Sequence, residues 1–228
     1  MMNRSKAALL TMALSVFLPA AAHASFLAGT TLTTAGGPSV FPGNASGSAA
    51  GTLLASNAAP YSFLTTGGTT SGTLTSAVFQ NPTGTLDFYY QVANSGSSAS
   101  SIARESNTSF TGFATQTGYR TDGSGLAGVL FQNGSVLPVT ADSTGNVVGF
   151  SFTPPSTAKI APGSVSSVLV ISTNATAFVL GNAAVIDGGT QTVSAFQPSG
   201  AVPEPVSMLL MGTGLLALAG VRRFKKSA

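Results

Sequence analysis

The sequence predicts an all-β body, an antiparallel β-sandwich of which the jelly roll is one form, between an N-terminal signal peptide and a C-terminal transmembrane helix. The body is rich in Gly, Ser, Thr, Ala and Val, and its apolar residues fall in short runs. Turn-forming residues separate these runs at a spacing of roughly 8–12 residues, which is typical of a β-sandwich. The two ends differ from the body, because each carries a longer uninterrupted apolar run.

Residues 1–24 have the three parts of a secretory signal peptide. Two basic residues come first, an apolar run follows, and Ala22-His23-Ala24 forms a small-residue cleavage site. We therefore expect signal peptidase to cut between Ala24 and Ser25, so that the exported protein begins at Ser25.

Residues 25–72 are predicted to be a Gly/Ser/Thr-rich first part of the body. Runs such as 33–38 and 44–48 have the composition of loops. Short apolar islands at 51–55 and 61–64 are candidates for early strands. The alternative is a flexible, low-complexity stalk.

Residues 73–200 are predicted to form the sandwich itself. In residues 85–92 the even-numbered positions are apolar or aromatic, while three of the odd-numbered positions carry Asp, Tyr and Gln. This alternation with a period of two residues is typical of a strand that is buried on one face. Because Pro82-Thr83-Gly84 supplies turn chemistry, residues 73–79 and 85–92 are predicted to pair as a hairpin.

Later runs repeat this pattern. Asn133-Gly134 lies between the apolar runs 128–132 and 135–139, which predicts a second hairpin. Residues 165–173 are nearly all apolar or small and predict a central strand that is buried on both faces. The remaining predicted strands are 147–152, 177–180, 183–186 and 190–196.

The exported body carries few ionisable groups. Residues 25–202 hold three basic and five acidic side chains, a formal charge of −2, and neither His nor Cys. Nucleic-acid binding is excluded, because it needs a basic stripe. Catalysis that depends on a His base and zinc sites built on Cys or His are excluded as well. We therefore expect no catalytic residue, no metal site and no cofactor.

Two weaker alternatives use the acidic residues. A pair of carboxylates could hydrolyse a glycoside, and Asp122, Asp142 and Asp187 could bind calcium in loops. Four of the five acids, however, lie in or beside turn-like sequence, where Asp ordinarily bonds its own backbone. The five are Asp87, Glu105, Asp122, Asp142 and Asp187.

Aromatic residues form a further candidate site. They could provide a platform on which sugars stack, but packing within the β-core is the favoured interpretation. Tyr89 is the exception, because its strand pattern turns it away from Phe88 and Tyr90. The residues considered are Tyr61, Tyr89, Tyr90, Tyr119, Phe110, Phe113 and Phe131.

The last segment, residues 201–228, has three parts. Pro203-Glu204-Pro205 favours an extended backbone, since proline lacks an N–H and restricts the residue before it. Residues 206–221 are uncharged and would form a helix of roughly 24 Å, which is short for a hydrocarbon core of about 30 Å. A basic cluster follows, which favours the cytoplasmic side of a membrane. Its members are Arg222, Arg223, Lys225 and Lys226.

This arrangement closely resembles the PEP-CTERM sorting signal of Gram-negative bacteria. The resemblance rests on Pro203-Glu204-Pro205, the apolar run 206–221 and the basic cluster, and it covers only the end of the chain. It implies recognition by an exosortase, a membrane transpeptidase-like enzyme, with cleavage near the motif after transient anchoring in the inner membrane. The alternative is a plain tail anchor, against which the short, Gly-containing helix counts.

We therefore expect a non-enzymatic protein at the cell surface or in the extracellular polysaccharide of a biofilm. The expected partners are signal peptidase, exosortase, the membrane before processing, and the extracellular polysaccharide. One alternative is a carbohydrate-binding or adhesive module that uses an exposed aromatic face. A weaker one is a glycan-active enzyme with two carboxylates in one cleft.

The cleavage site gives a direct test. N-terminal sequencing of the exported protein should begin at Ser25, because signal peptidase accepts small residues at Ala22 and Ala24. Exported material that retains Met1 would contradict the prediction.

Overall fold

Twelve strands form two stacked sheets in the part of the chain that the computed structural model describes, residues 30–32 and 40–200. The first sheet has the order β1-β7-β10-β5-β4-β3, and the second has the order β12-β11-β6-β9-β8. The strands are β1 (Thr30–Leu32), β2 (Gly43–Asn44), β3 (Thr52–Thr65), β4 (Gly68–Gln80), β5 (Leu86–Asn94), β6 (Arg104–Asn107), β7 (Thr115–Arg120), β8 (Thr140–Thr144), β9 (Val147–Ser151), β10 (Val168–Thr173), β11 (Phe178–Ile186) and β12 (Thr190–Pro198).

The predicted all-β sandwich is confirmed for these residues. The strands pair antiparallel in both sheets, except that β2 pairs parallel to β7 at Gly118 and Tyr119. Two single turns of 3₁₀ helix, Gly123–Gly125 and Ser156–Ala158, are the helical elements found here. None of the helices in the described ranges is long and apolar enough to cross a membrane.

The early part of the body contains the two longest strands. β3 has 14 residues and β4 has 13, and the two strands pair along their length in the first sheet. In β3 the side chains of Ala59, Tyr61 and Phe63 are buried while their neighbours are exposed, so the strand contributes to the core. Within the described residues 40–72, β3 and the first part of β4 are therefore strands, and residues 72 and 73 both lie inside β4.

The connection predicted at Pro82-Thr83-Gly84 has the expected form. Pro82-Thr83-Gly84 joins β4 to β5, and short turns join β8 to β9 and β11 to β12. β11 is one continuous strand where the sequence predicted two, 177–180 and 183–186. The strand continues through Gly181 and Asn182 because both pair in register with β12.

A single apolar core lies between the two sheets. The first sheet contributes Leu86, Phe88 and Tyr90 from β5, which confirms the predicted inward face of this strand. The second sheet contributes Phe150 and Val185, both fully buried. Burial of this kind stabilises by about 25 cal/mol per Å² of apolar surface, which makes the inter-sheet core the main source of stability.

The outer face of the first sheet is covered as well. Residues 121–139, here called the covering segment, cross it without forming strands. Leu126 and Phe131 of this segment pack on Tyr89 and Val170 to make a second apolar cluster. As a result β10 is buried on both faces, as predicted for residues 165–173. β5 is buried on both faces as well, so the one-sided burial predicted for residues 85–92 is wrong, because the covering segment shields its polar face.

The hairpin predicted at Asn133-Gly134 is wrong, because the covering segment occupies that region. Gly134 lies directly against the Ser166 backbone, where a Cβ atom would clash. The side chain of Asn133 accepts hydrogen bonds from Ser124 N (3.0 Å) and Ser124 Oγ (2.8 Å). The glycine is therefore required by close packing and not by a turn between two strands.

Val170 tests the double burial of the central strand. It is 1 % exposed and lies opposite Tyr89 on the covered face. Val170→Asp should unfold the domain, because it places an unpaired charge in an apolar cluster at a cost of several kcal/mol.

The same substitution at Val179, which is 45 % exposed on β11, provides the control and should cost far less. Chemical denaturation followed by circular dichroism distinguishes the two. Equal midpoints for Val170→Asp and the parent protein would contradict the double burial.

Candidate functional site

The targeting sites predicted from sequence lie outside the described residues. They are the signal-peptide cleavage residues Ala22, Ala24 and Ser25, the motif Pro203-Glu204-Pro205, the helix 206–221 and the basic cluster Arg222, Arg223, Lys225 and Lys226. The structure therefore bears on the body that these segments deliver.

All three basic side chains of the body are held in ion pairs. Arg104 donates to Asp142 in a two-point contact of 2.6 and 2.7 Å, with further bonds to two serine hydroxyls. Lys159 Nζ lies 2.6 Å from Asp187 Oδ1. Both pairs are largely buried, so the charges neutralise each other close to the surface.

The third pair joins the covering segment to the first sheet. The Arg120 side chain, 4 % exposed, donates to both carboxylate oxygens of Asp122. Gly47 N donates to Asp122 Oδ2 at 2.7 Å. These bonds, led by the one from Arg120, hold the pKa of Asp122 below its usual range.

The proposed calcium ligands are therefore not assembled into a site. Asp122, Asp142 and Asp187 lie in three separate ion pairs, each with its own cation. Within residues 40–200, no group of three or more acidic or His/Cys side chains could hold a metal ion.

The two remaining acids are buried without a cation. Asp87 lies on the covered face of β5, and burial raises its pKa to about 7 against the opposing effect of hydrogen bonds from Ser172 and Asn81. Glu105 of β6 faces the inter-sheet core opposite Phe150 and Val185. Burial raises the pKa of Glu105 to about 8, although Asn107 Nδ2 donates to it at 2.9 Å.

These positions bear on the carboxylate-pair alternative. Asp87 lies on one side of the first sheet and Glu105 on the other, so the two do not converge. Each of the other three carboxylates accepts bonds from a cation elsewhere in the fold. Neither of the two cavities described below for residues 40–200 is lined by a carboxylate.

The aromatic side chains pack inside the protein, as the favoured interpretation predicted. Tyr61, Tyr90 and Phe110 belong to the inter-sheet core. Tyr89 and Phe131 belong to the second cluster, where the Tyr89 ring lies 4.7 Å from that of Phe79. Tyr89 does point away from Phe88, but the covering segment buries it, and this burial raises its pKa to about 12. The alternative that needs an exposed aromatic face is thus not supported by these residues.

A large cleft lies at the end of the sandwich where β12 finishes. Its volume is about 660 Å³, and we call it the terminal cleft. Four segments wall it: residues 109–113, the β8–β9 turn at Asn146, residues 174–176 together with Val179 of β11, and residues 197–200. None of the residues that line it is ionisable, and most carry a hydroxyl or a carboxamide.

Three carboxamides of the terminal cleft are oriented by the fold. The Asn174 side-chain oxygen accepts from Ala114 N at 2.9 Å, and that of Asn146 accepts from the Thr111 hydroxyl at 3.1 Å and from Thr111 N. The Gln197 oxygen accepts from Asn182 N and the Thr108 hydroxyl. The cleft thus carries carboxamide groups whose oxygens are used by the scaffold.

A second cavity of about 410 Å³ lies between the covering segment and residues 48–53. Arg120 is its one charged wall residue, and that guanidinium is engaged by Asp122 and Tyr89. It offers less to a ligand than the terminal cleft.

The comparison with known families decides the nature of the C-terminal segment. Residues 201–223 match the PEP-CTERM protein-sorting motif. The chain carries a PEP-CTERM sorting signal. The resemblance found in Pro203-Glu204-Pro205 and the following apolar run is thereby confirmed, and it supports exosortase-dependent sorting of an exported protein to the cell surface or the extracellular space. No curated protein and no solved structure matches the chain.

Sequence reasoning missed the terminal cleft. Its carboxamides come from Asn146, Asn174 and Gln197, which are far apart in the chain and form no local motif. Asn174 lies in an Asn-Ala-Thr triplet and Asn146 follows a glycine. Such short patterns are common in a body of this composition and did not mark a site.

The buried acids predict an unusual dependence of stability on pH. A carboxyl group whose pKa is higher in the folded than in the unfolded state binds more protons when folded, so stability falls as pH rises between the two values. For Glu105 this window runs from about 4.5 to about 8. The loss is at most about 1.4 kcal/mol per pH unit for one such group.

Urea denaturation at several pH values checks this. The midpoint should fall between pH 5 and pH 8, and Glu105→Gln should reduce the slope because an amide does not ionise. A parent protein that gains stability over this range would refute the assignment of neutral buried acids.

Proposed function

We propose that this protein is a non-enzymatic structural or interaction component of the cell surface or of the extracellular polysaccharide of a biofilm. Signal peptidase and exosortase act on it in turn, with transient anchoring in the inner membrane through residues 206–221. The observation that carries the proposal is the PEP-CTERM motif at 201–223, placed directly after the end of the folded body at β12.

The chemistry of the body supports a role without catalysis. Residues 25–202 contain neither His nor Cys. Its three basic groups are paired with Asp122, Asp142 and Asp187, and its two other acids are buried. General acid–base and nucleophilic catalysis need such groups exposed in a cleft.

The surface also suits a hydrated polysaccharide environment. With its charges paired or buried, the body presents mainly Ser, Thr, Asn and Gly to solvent. Such a surface exerts little long-range electrostatic force on charged polymers. Contacts with a matrix would then depend on hydrogen bonds and shape.

A second candidate function is a carbohydrate-binding or adhesive module. The observation that favours it is the terminal cleft, which is uncharged and lined by hydroxyl and carboxamide groups. Of the aromatic residues considered from the sequence, Phe113 contributes to its wall.

The sorting part of the proposal is tested by changing Pro203-Glu204-Pro205 to three alanines. The variant should remain in the membrane fraction at its full length, because the apolar run is intact and the recognition motif is lost. The parent protein should appear at a lower mass in the surface or medium fraction. Immunoblots of membrane and medium fractions from the native host measure both.

Truncation after Pro205 is the companion variant. It should give a soluble exported body, since the apolar run that holds the protein is absent. If the parent and the triple-alanine variant show the same mass and the same distribution, the tail is a plain anchor and the sorting function is wrong.

A further inference from the structure

We propose that the terminal cleft is a binding site for an uncharged, hydroxyl-rich glycan chain. This proposal rests on the proposed extracellular role, because a glycan of this kind would reach the protein outside the cell. The site itself is argued from the geometry of the cleft.

The first argument is the orientation of the three carboxamides. Backbone N–H groups can only donate, so the atoms that face Ala114 N, Thr111 N and Asn182 N must be the side-chain oxygens of Asn174, Asn146 and Gln197. This fixes each amide against a flip. The three NH₂ groups have no acceptor among residues 40–200, and they remain available as donors at the cleft.

The position of Gln197 shows that the fold makes room for one of these groups. Its carboxamide lies where a Cβ atom of Gly181 would be, so any larger residue at 181 would displace it. The same carboxamide oxygen accepts from Asn182 N at 3.2 Å and from Thr108 Oγ1 at 3.0 Å. Gln197 is thus held from two strands and is preorganised for a ligand.

The second argument concerns the class of ligand. Amide donors complement the ring and hydroxyl oxygens of a sugar. The hydroxyls of Ser109 and Thr176 can both donate and accept, while that of Thr111, which donates to Asn146, can accept. Phe113 and Val179 add apolar wall, which suits the C–H faces of a pyranose ring. A polyanion would instead require a cation, and the cleft contains none.

The third argument is size and access. A volume of about 660 Å³ lies within the usual range of about 300–1,000 Å³ for small-ligand sites. The cleft is open at the surface of four loops, so a polymer can extend beyond it on either side. The wall also includes Ser109, which has a φ of +69°, the one positive value found outside glycine in residues 40–200. Strain of this kind persists where surrounding structure enforces it.

Affinity electrophoresis of the mature exported protein tests the proposal. Native gels contain dextran, galactomannan or the host's own extracellular polysaccharide, with alginate as a polyanionic comparison and a polymer-free gel as reference. We expect retardation by at least one of the uncharged polymers or by the host polysaccharide, and not by alginate alone.

The decisive variants change each amide to a carboxylate, which keeps the oxygen that the scaffold uses and removes the NH₂ donor. Asn174→Asp should weaken binding several-fold, and the triple variant Asn146→Asp, Asn174→Asp, Gln197→Glu should weaken it at least tenfold. Asn133→Asp is the charge-matched control, because its oxygen also accepts two bonds but lies outside the cleft. It should bind as the parent does.

Thr176→Arg provides a second route if the triple variant does not fold, as judged by its thermal melt. Its side chain is exposed and makes no side-chain hydrogen bond within residues 40–200, so the larger residue should block the cleft without disturbing the fold. Binding by folded Thr176→Arg that equals the parent's would overturn the site.

The remaining outcomes separate this inference from the proposed function. A parent protein that is processed normally but is retarded neither by an uncharged polymer nor by the host polysaccharide, or is retarded by alginate alone, overturns the glycan site and leaves the sorting role intact. Retardation that the cleft variants abolish supports the site, even if the fractionation experiment shows that the tail is only an anchor.

Discussion

The fold depends on the burial of β5 and β10 on both faces. One face of these strands packs on the second sheet, and the other lies under the covering segment. Polar side chains on them must find their partners inside the protein, since an unpaired buried group costs about 1–3 kcal/mol. Gln91 does so by bonding the backbone of Gln132 in both directions, at 2.8 Å each way. The covering segment is thereby fastened to the sheet whose outer face it buries.

The charged side chains of the body also find their partners within the protein. Two of the cations join parts of the chain that are distant in sequence. Arg104 on β6 binds Asp142 on β8, and Lys159 binds Asp187 after β11. Gly149 has no side chain where the Arg104 guanidinium lies, which allows this contact over the sheet. Because these charged side chains bind one another, the groups that remain for binding a ligand are mainly uncharged hydrogen-bond donors and acceptors.

The sequence predicted those features that local patterns specify. The alternation in 85–92, the turn at 82–84 and the apolar run 165–173 each translate directly into a strand or a connection. β3 was uncertain because Ala59, Tyr61 and Phe63 alternate with small residues that differ little from the surrounding composition. The turn predicted at Gly134 was wrong because glycine is needed there for close contact with the Ser166 backbone. A tertiary contact of this kind leaves no local sequence pattern. The cleft is assembled from four distant loops, so its existence follows only from the topology.

The position of the cleft relative to the sorting signal has a mechanical consequence. Pro203 follows Pro198, the last residue of β12, by five positions, and that length of chain spans at most about 17 Å. Any enzyme that acts at the motif must therefore work close to the folded end that holds Ser199 and Gly200, and these residues form part of the cleft wall. In the proposed anchored state, the end of the sandwich that carries the carboxamides is the end nearest to the membrane-spanning segment in sequence. Processing at the motif and binding in the cleft would therefore take place at the same end of the body.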